Sequence, residues 1–387
     1  MKIKLVIIFA FALAFMACEN QENSFDDFGS TSVYFPFQTP IRTLIQGKYD
    51  LGFNDNDNKG RFEIGLIMSG VYENKTDRKV SFEVAPQMID AVALGLDTVN
   101  VKVLPSSYYT IEQASPVTIP AGSTKGRIPI QLNDAFFDDP LAFAGENEVH
   151  YAIPLKITTF EGLDSLLTGV PAVANPIRIK AEDWTTAPKD YTLYGIKFIN
   201  KYSGIHLRRG EDKVVGSIQS VKTTAATGAT ETKTENVDGT TVYRSASIVE
   251  DELSEVVTAG RNKVTNTNIV RRPGLNTNKT LTLELTFNDN GEAVLANADK
   301  NSTTTTVSGT AKLLEDGAEW GGKKHNVIYL DYQYREQEVE TTEERVFGRL
   351  ISTTVTTLDL THTVKDTLVM RNRNVKFEEL VIDLAKK

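Results

Sequence analysis

The chain has 387 residues, 40% of them hydrophobic, with a formal net charge of −9 and a single cysteine. That length accommodates two or three domains, each able to bury its own core. The acidic balance disfavours nucleic acid and anionic lipid as partners but leaves neutral ligands such as sugars open, and one cysteine excludes both a disulfide framework and a cysteine-ligated metal site.

The chain starts MKIK, and residues 5–17, LVIIFAFALAFMA, form an uninterrupted apolar run. The run is too short to cross a hydrocarbon core, which takes about 20 residues, and fits the central region of a secretory signal over residues 1–17. Cys18 follows directly. Met16-Ala17-Cys18 resembles the lipobox of bacterial lipoproteins, with Phe15 where that family prefers Leu. The resemblance implies that Cys18 is lipidated and becomes the mature N-terminus; several acyl chains would then give a stable membrane anchor. Loss of Lys2 and Lys4 with the signal takes the charge to −11. Residues 18–30 read as a solvated acidic tether carrying Glu19, Glu22, Asp26 and Asp27. They also resemble the signal that sends Bacteroidota lipoproteins to the outer face of the outer membrane.

Beyond the tether, alternation of apolar and polar residues dominates. VSFEV (80–84), LTLELTF (281–287) and IYLDYQY (328–334) each place one apolar face against a wet one, and the pattern recurs at Val375 and Phe377. Asp238-Gly239, Pro273-Gly274, Asn290-Gly291 and Pro120-Ala121-Gly122 read as turns. Residues 85–96 are the one helical candidate, ending near Gly95. The fold class expected is all-β, mostly antiparallel and built as sandwiches or barrels, with a domain boundary near 180 and a linker over 181–190. SPVTIPAGSTKGRIPIQL (115–132) reads as a hairpin. The Thr-rich stretches 220–241 and 301–310 suit long exposed hairpins outside the core.

SVYFPFQTPIRTLIQGKYD (32–50), SGVYENKTDRKVSFEV (69–84) and LPSSYYTI (104–111) resemble domain of unknown function 1735, found at the N-terminus of Bacteroidota surface lipoproteins of polysaccharide-utilisation systems. YTLYGIKFINKYSGIHLRRG (191–210) and DTLVMRNRNVKFEEL (366–380) resemble the C-terminal β domain often paired with it. The resemblance implies an immunoglobulin-like β-sandwich over 31–180 followed by an antiparallel β-barrel-like, lipocalin-like domain over 191–387, in surface proteins that bind glycans or accompany such binders; the same N-terminal domain also occurs ahead of glycosidase modules, for which this chain has no room. The reading favoured is a non-catalytic protein that captures a polysaccharide or oligosaccharide for an outer-membrane glycan importer. No cofactor is implied.

A glycosidase would need two placed carboxylates. With 51 acids, adjacent pairs such as Asp138-Asp139 and Glu378-Glu379 are inevitable, and in a strand they point to opposite faces. His150, His206, His325 and His362 are scattered, and no nucleophile elbow, zinc pair or phosphate loop is present. In FNDNDNKGRFE (53–63), Asp55, Asp57 and Gly60 fit positions 1, 3 and 6 of a calcium loop, but Lys59 and Leu66 occupy positions 5 and 12. A sugar site asks for exposed rings flanked by polar groups. Trp320, in the Gly-rich segment EDGAEWGGKKHN, and Trp184 are candidates; Tyr332 and Tyr334 share one strand face, as core or as platform. Asp97-Thr98-Val99, Asp164-Ser165-Leu166 and Asp366-Thr367-Leu368 resemble an O-glycosylation sequon of these bacteria. Against glycan capture stand two alternatives: a structural or protein-binding subunit of the uptake complex, and an uncharacterised hydrolase.

Overall fold

The computed structural model describes residues 27–49, 51–143, 150–272 and 277–385. Cys18, the signal segment and most of the tether lie outside these residues, as does the Pro273-Gly274 turn. The described chain is all-β, as the alternation requires.

Two sheets pack face to face in the first domain. One runs Ser165–Leu166, Ser32–Tyr34, Arg61–Ser69, Lys125–Leu132, Tyr109–Ile111 across the sheet; the other runs Ile41–Ile45, Tyr191–Ile199, Tyr151–Glu161, Arg78–Val84, Val117–Ile119. Strict alternation in RFEIGLIMS sends Phe62, Ile64, Leu66 and Met68 into the space between the sheets, where they meet Ile153, Leu155 and Phe198. The segment 115–132 is not a hairpin. Val117–Ile119 pairs with Arg78–Val84, whereas Lys125–Leu132 pairs with Arg61–Ser69, so Pro120-Ala121-Gly122 turns an arch from one sheet to the other. The reason is that Ile119, Ile128 and Ile130 all belong in the intersheet core. The helical candidate shortens to Ala91–Leu94, capped by Asp90 and ended by Gly95 in the left-handed conformation.

Tyr191–Ile199, assigned by the sequence to the barrel, is a central strand of the sandwich. It lies between Tyr151–Glu161 and Ile41–Ile45 and is buried along nearly its whole length. The chain therefore leaves the sandwich near Asn200. The segment 181–190 also carries structure: Trp184–Thr186 pairs with Val170–Pro171.

The second domain is one nine-stranded antiparallel sheet. Eight strands close a ring: Gly204–Thr224, Glu252–Gly260, Lys263–Val270, Lys279–Phe287, Glu292–Asn297, Thr305–Trp320, Lys323–Val346 and Arg349–Asn372, the last pairing back onto the first. Leu281, Leu283, Leu285 and Phe287 face inward, as do Ile328, Leu330, Tyr332 and Tyr334. Gly309 allows Thr305–Trp320 to pass close to its partner, because a Cβ there would lie 2.4 Å from that of Tyr332.

The ninth strand, Thr230–Tyr243, pairs with Gly204–Thr224 outside the ring. Asp238-Gly239 is thus not a turn but mid-strand, opposite Val215 and Val214; the reversal sits at 224–230, closed by Thr224 N–H donating to Ala229 O. Lys323–Val346 and Arg349–Asn372 have 24 residues each, about 80 Å at the usual rise. They outrun the ring and form, with Gly204–Thr224 and Thr230–Tyr243, a projecting four-stranded arm. Its small apolar spine is Val214, Ile218, Val237, Leu358 and Leu360. Its free edges carry Glu231, Lys233 and Glu235 on one side and Glu340, Glu343 and Glu344 on the other, charges that oppose edge-to-edge pairing.

After Asn372 the chain returns across the sandwich. Val375 and Phe377 are exposed in an extended strap, not in a half-buried strand. The strap is tied by Leu380 N–H to Thr39 O, and Leu384–Ala385 pairs with Thr98–Val99. Arg373, at the start of the strap, donates to the carbonyls of Ser203, Asn200, Gln46 and Lys48 at 2.8, 2.6, 2.9 and 3.0 Å. One guanidinium thus ties a sandwich loop to the entrance of the barrel. Arg373→Ala should remove all four donations, two of them to buried carbonyls, at about 1–3 kcal/mol for the unmade bonds. Faster limited proteolysis between residues 46 and 52 is the expected readout, and an unchanged cleavage rate would contradict it.

Candidate functional site

The candidate site is a cleft of about 290 Å³ where the two domains meet. The sandwich supplies Lys48, Tyr49 and Leu51 from the loop after Ile41–Ile45. The barrel supplies Trp320 to Asn326 from the end and turn of one hairpin, and Met370 to Arg373 from its last strand. Gly321 and Gly322, both at positive φ, make the two-residue turn that sets Trp320 beside Lys323.

Trp320 is half-buried. It packs on the apolar cluster of Leu207, Val327 and Val369, stacks on His325 with ring centroids 4.5 Å apart at 18°, and donates Nε1–H to Met370 O at 3.4 Å. His325 in turn lies 3.3 Å from Trp320 O. Leu51, 78% exposed, projects from the opposite wall. Lys48 bridges the walls: its ammonium contacts Asp316 at 2.5 Å and Lys324 O at 3.3 Å. The Lys48 ammonium holds the Asp316 carboxyl below its usual range. The result is a half-exposed indole, backed by His325, with amide and cationic groups around it, a mix of ring surface and hydrogen-bonding groups of the kind that sugar sites use.

The other predicted rings are placed differently. Trp184 is half-buried and engaged at edge and face: Nε1–H donates to Ile177 O at 3.0 Å, and the Arg178 guanidinium lies 5.2 Å from the ring. It does not line the Trp320 cleft. Tyr332 and Tyr334 are 1% exposed inside the barrel and so are core, not platform. The calcium-like loop is closed by the protein itself. Asp57 is buried and accepts from Arg42 and from the Ile45 amide, and Asn58 Oδ1 accepts from the Gly47 amide. Among the described residues no cluster of three or more His, Cys, Asp or Glu side chains could hold a metal ion. Of the sequon-like segments, Thr98 is exposed, Ser165 is bonded to Ser32 and the Thr31 carbonyl, and Asp366 is locked in the barrel.

That lock is part of a buried ionic network that sequence reading missed. Arg208, 1% exposed, pairs with Asp366 and lies 4.0 Å from the Tyr243 ring. Tyr332 donates to Asp366 and Tyr334 to Asp212. His362, stacked on Tyr334, sits between Asp212 at 3.0 Å and Glu336 at 3.2 Å. Arg272 and Lys279 reach Glu336 and Glu338 from the next strand end. The sequence signal was available as polar residues at inward positions, since Asp212, His362, Asp366 and Glu336 break alternating patterns.

A neutral imidazole has one N–H, whereas His362 faces a carboxylate at each nitrogen, which calls for the imidazolium. Burial opposes that charge, but the bonds His362 donates to Asp212 and Glu336 outweigh it and raise the pKa. A raised folded-state pKa contributes stability that is complete below the unfolded value of ~6.5 and is lost as pH rises through the folded value. Burial likewise opposes the charge of Glu336, yet His362, Lys279 and Arg272 hold its carboxyl below the usual range, so its contribution is lost as pH falls through that lowered value. The barrel should therefore unfold more easily in alkali than at pH 6, and His362→Gln should flatten the difference. Urea midpoints at pH 6 and 9 measure it; equal slopes in both proteins would contradict it.

The molecule is thus a two-module, all-β protein whose open aromatic cleft lies at the domain junction and whose buried charges are internally paired. Residues 26–164 match a family model described as "-like, N-terminal domain". Residues 201–374 match the model of domain of unknown function 5627. A crystal structure of a protein of unknown function from Bacteroides ovatus is similar over 92% of this chain and 99% of that one, with 26% identity and a TM-score of 0.72. A multidomain protein of Bacteroides ovatus that includes domain of unknown function 1735 matches over 90% and 99%, at 12% identity and a TM-score of 0.36. An auxiliary nutrient binding protein of Bacteroides thetaiotaomicron matches over 84% and 91%, at 11% identity and a TM-score of 0.35. Scores that low carry no weight; the first structure shares the fold across both domains. A comparison with curated proteins finds no match. The two family models together span most of the described chain, and the Bacteroides ovatus structure is similar to it across both domains.

Proposed function

We propose that this protein is a non-catalytic glycan-binding protein of the cell surface that captures polysaccharide for an outer-membrane importer, held through lipid on Cys18. The observation that carries the reading is the Trp320 cleft, where a half-exposed indole backed by His325 meets polar and cationic groups between the two modules. Its support for a binding role is chemical: the cleft offers ring-stacking surface and hydrogen-bond donors. The acids of the barrel network are buried and paired with Arg208, His362, Arg272 and Lys279. Weak single-site affinity is offset by many copies on one surface. Retardation of the protein in gels cast with a broad panel of plant, fungal and host polysaccharides tests it. No retardation by any of them would remove the reading. Incorporation of labelled palmitate that Cys18→Ser abolishes, and loss of the protein when intact cells are treated with protease, test the anchor and its orientation.

The projecting arm favours a second reading, a protein-binding subunit of the uptake complex. Its tip residue Phe347 is 105% exposed at φ 46, beside exposed Val346 and Ile351. An apolar ring in a left-handed turn is costly to keep in water. Co-purification of the importer that survives Trp320→Ala but not Phe347→Asn would support that role.

A further inference from the structure

We propose that the Trp320 cleft takes a sugar ring that carries an anionic group, a carboxylate or a sulfate ester, rather than a neutral one; this rests on the glycan-binding reading above. The chain as a whole is acidic, yet the cleft reverses that sign. Lys48, Lys323, Lys324, Arg371 and Arg373 all line it, and no aspartate or glutamate does among the described residues.

The cations divide by what they already hold. Arg373 is spent on backbone carbonyls, and Lys48 on Asp316. Lys323, Lys324 and Arg371 are exposed and make no close ion pair among the described residues, although Lys324 stands opposite Glu319 and its charge helps hold the Asp316 carboxyl below its usual range. They converge because the Gly321-Gly322 turn places Lys323 and Lys324 next to Trp320, while Val327 pairs with Val369 and so brings Arg371 alongside. Three exposed cations, Lys323 and Arg371 without a nearby partner and Lys324 only loosely held by Asp316, repel one another unless an anion sits among them. A free inorganic anion would satisfy the charge but leave Trp320, Leu51 and Tyr49 uncovered. A neutral sugar would cover the rings but leave the charge. An acidic pyranose does both, and Arg371 can hold a carboxylate or sulfate through two parallel N–H bonds.

The test uses the full mature chain and calorimetric titration with four probes. These are oligogalacturonate for the carboxylate, chondroitin sulfate oligosaccharide for the ester, cello-oligosaccharide as the neutral ring, and polyphosphate as the anion without a ring. Binding of either acidic sugar at least ~10-fold tighter than the neutral one, weakening steeply from 50 to 500 mM salt, is expected. Lys323→Gln with Lys324→Gln and Arg371→Gln should remove that preference; these side chains are exposed, and the salt series on the unmutated protein reads the same charge dependence without a variant. Which acidic sugar binds tells carboxylate from sulfate. Equal or tighter binding of the neutral oligosaccharide overturns this inference while leaving the glycan reading standing. Equal binding of polyphosphate overturns it in favour of a general anion site. No binding of any sugar overturns both.

Discussion

Arg208→Ala should destabilise the barrel by about 3–5 kcal/mol, the penalty for leaving a buried charge without its partner. Asp366 is 2% exposed, and its only cationic contact among the described ion pairs is Arg208, at 2.9 Å. Burial pushes the Asp366 carboxyl up, and the guanidinium and the Tyr332 hydroxyl pull it back; upward is the net direction. The Arg208 guanidinium stays charged throughout the working range. Removal of the cation strands the acid, whereas removal of both charges does not. Arg208→Met with Asp366→Leu should recover most of the loss, keeping only the cost of the orphaned Tyr332 hydroxyl, about 1–3 kcal/mol. Adding Tyr332→Phe should recover that too. The measurement is the urea midpoint of the barrel transition, followed by amide exchange in Gly204–Thr224 and Arg349–Asn372. If Arg208→Ala and the triple variant shift the midpoint equally, the network is not the source of the stability.

Trp320→Ala should abolish most glycan retention, a loss of at least ~10-fold in affinity, since a ring at the centre of a small site carries the largest share of its binding energy. Truncation also empties a half-buried position against Leu207, Val327 and Val369. A stability loss of about 1–2 kcal/mol, below the range for fully buried aromatics, accompanies it. Trp320→Phe separates the two effects. It keeps the apolar packing and a ring face but loses the Nε1–H bond to Met370 O, so stability should return almost fully and affinity partly. Gel retardation read beside thermal melting decides the matter. Undiminished retardation of Trp320→Ala would move the site elsewhere, with the Phe37–Phe377 pair beside the strap as the next aromatic surface to test.

Much of the architecture was legible because strand burial has period two. LTLELTF and IYLDYQY put their apolar faces where the alternation said, and the two-module β plan followed. The cleft was legible only in part. Trp320 stood out as a rare residue in a Gly-rich polar segment, but Lys48, Tyr49 and Leu51 lie some 270 positions away, and no local pattern ties them to it. Tyr332 and Tyr334 were open to both readings, because an aromatic strand face looks the same whether it meets solvent or the inside of a closed ring.

The amino-acid sequence alone determined which segments extend, which faces are apolar, and the acidic balance of the chain, since these depend on neighbours one to four residues apart. Tertiary structure decided the rest. It drew Tyr191–Ile199 into the sandwich, because a strand buried along nearly its whole length needs a partner on each side. It closed eight strands into a ring and so buried Arg208, Asp366 and His362 together. It also brought a sandwich loop against a barrel hairpin to form the basic cleft. Each of these outcomes depends on pairings between residues far apart in the chain, which no local pattern encodes.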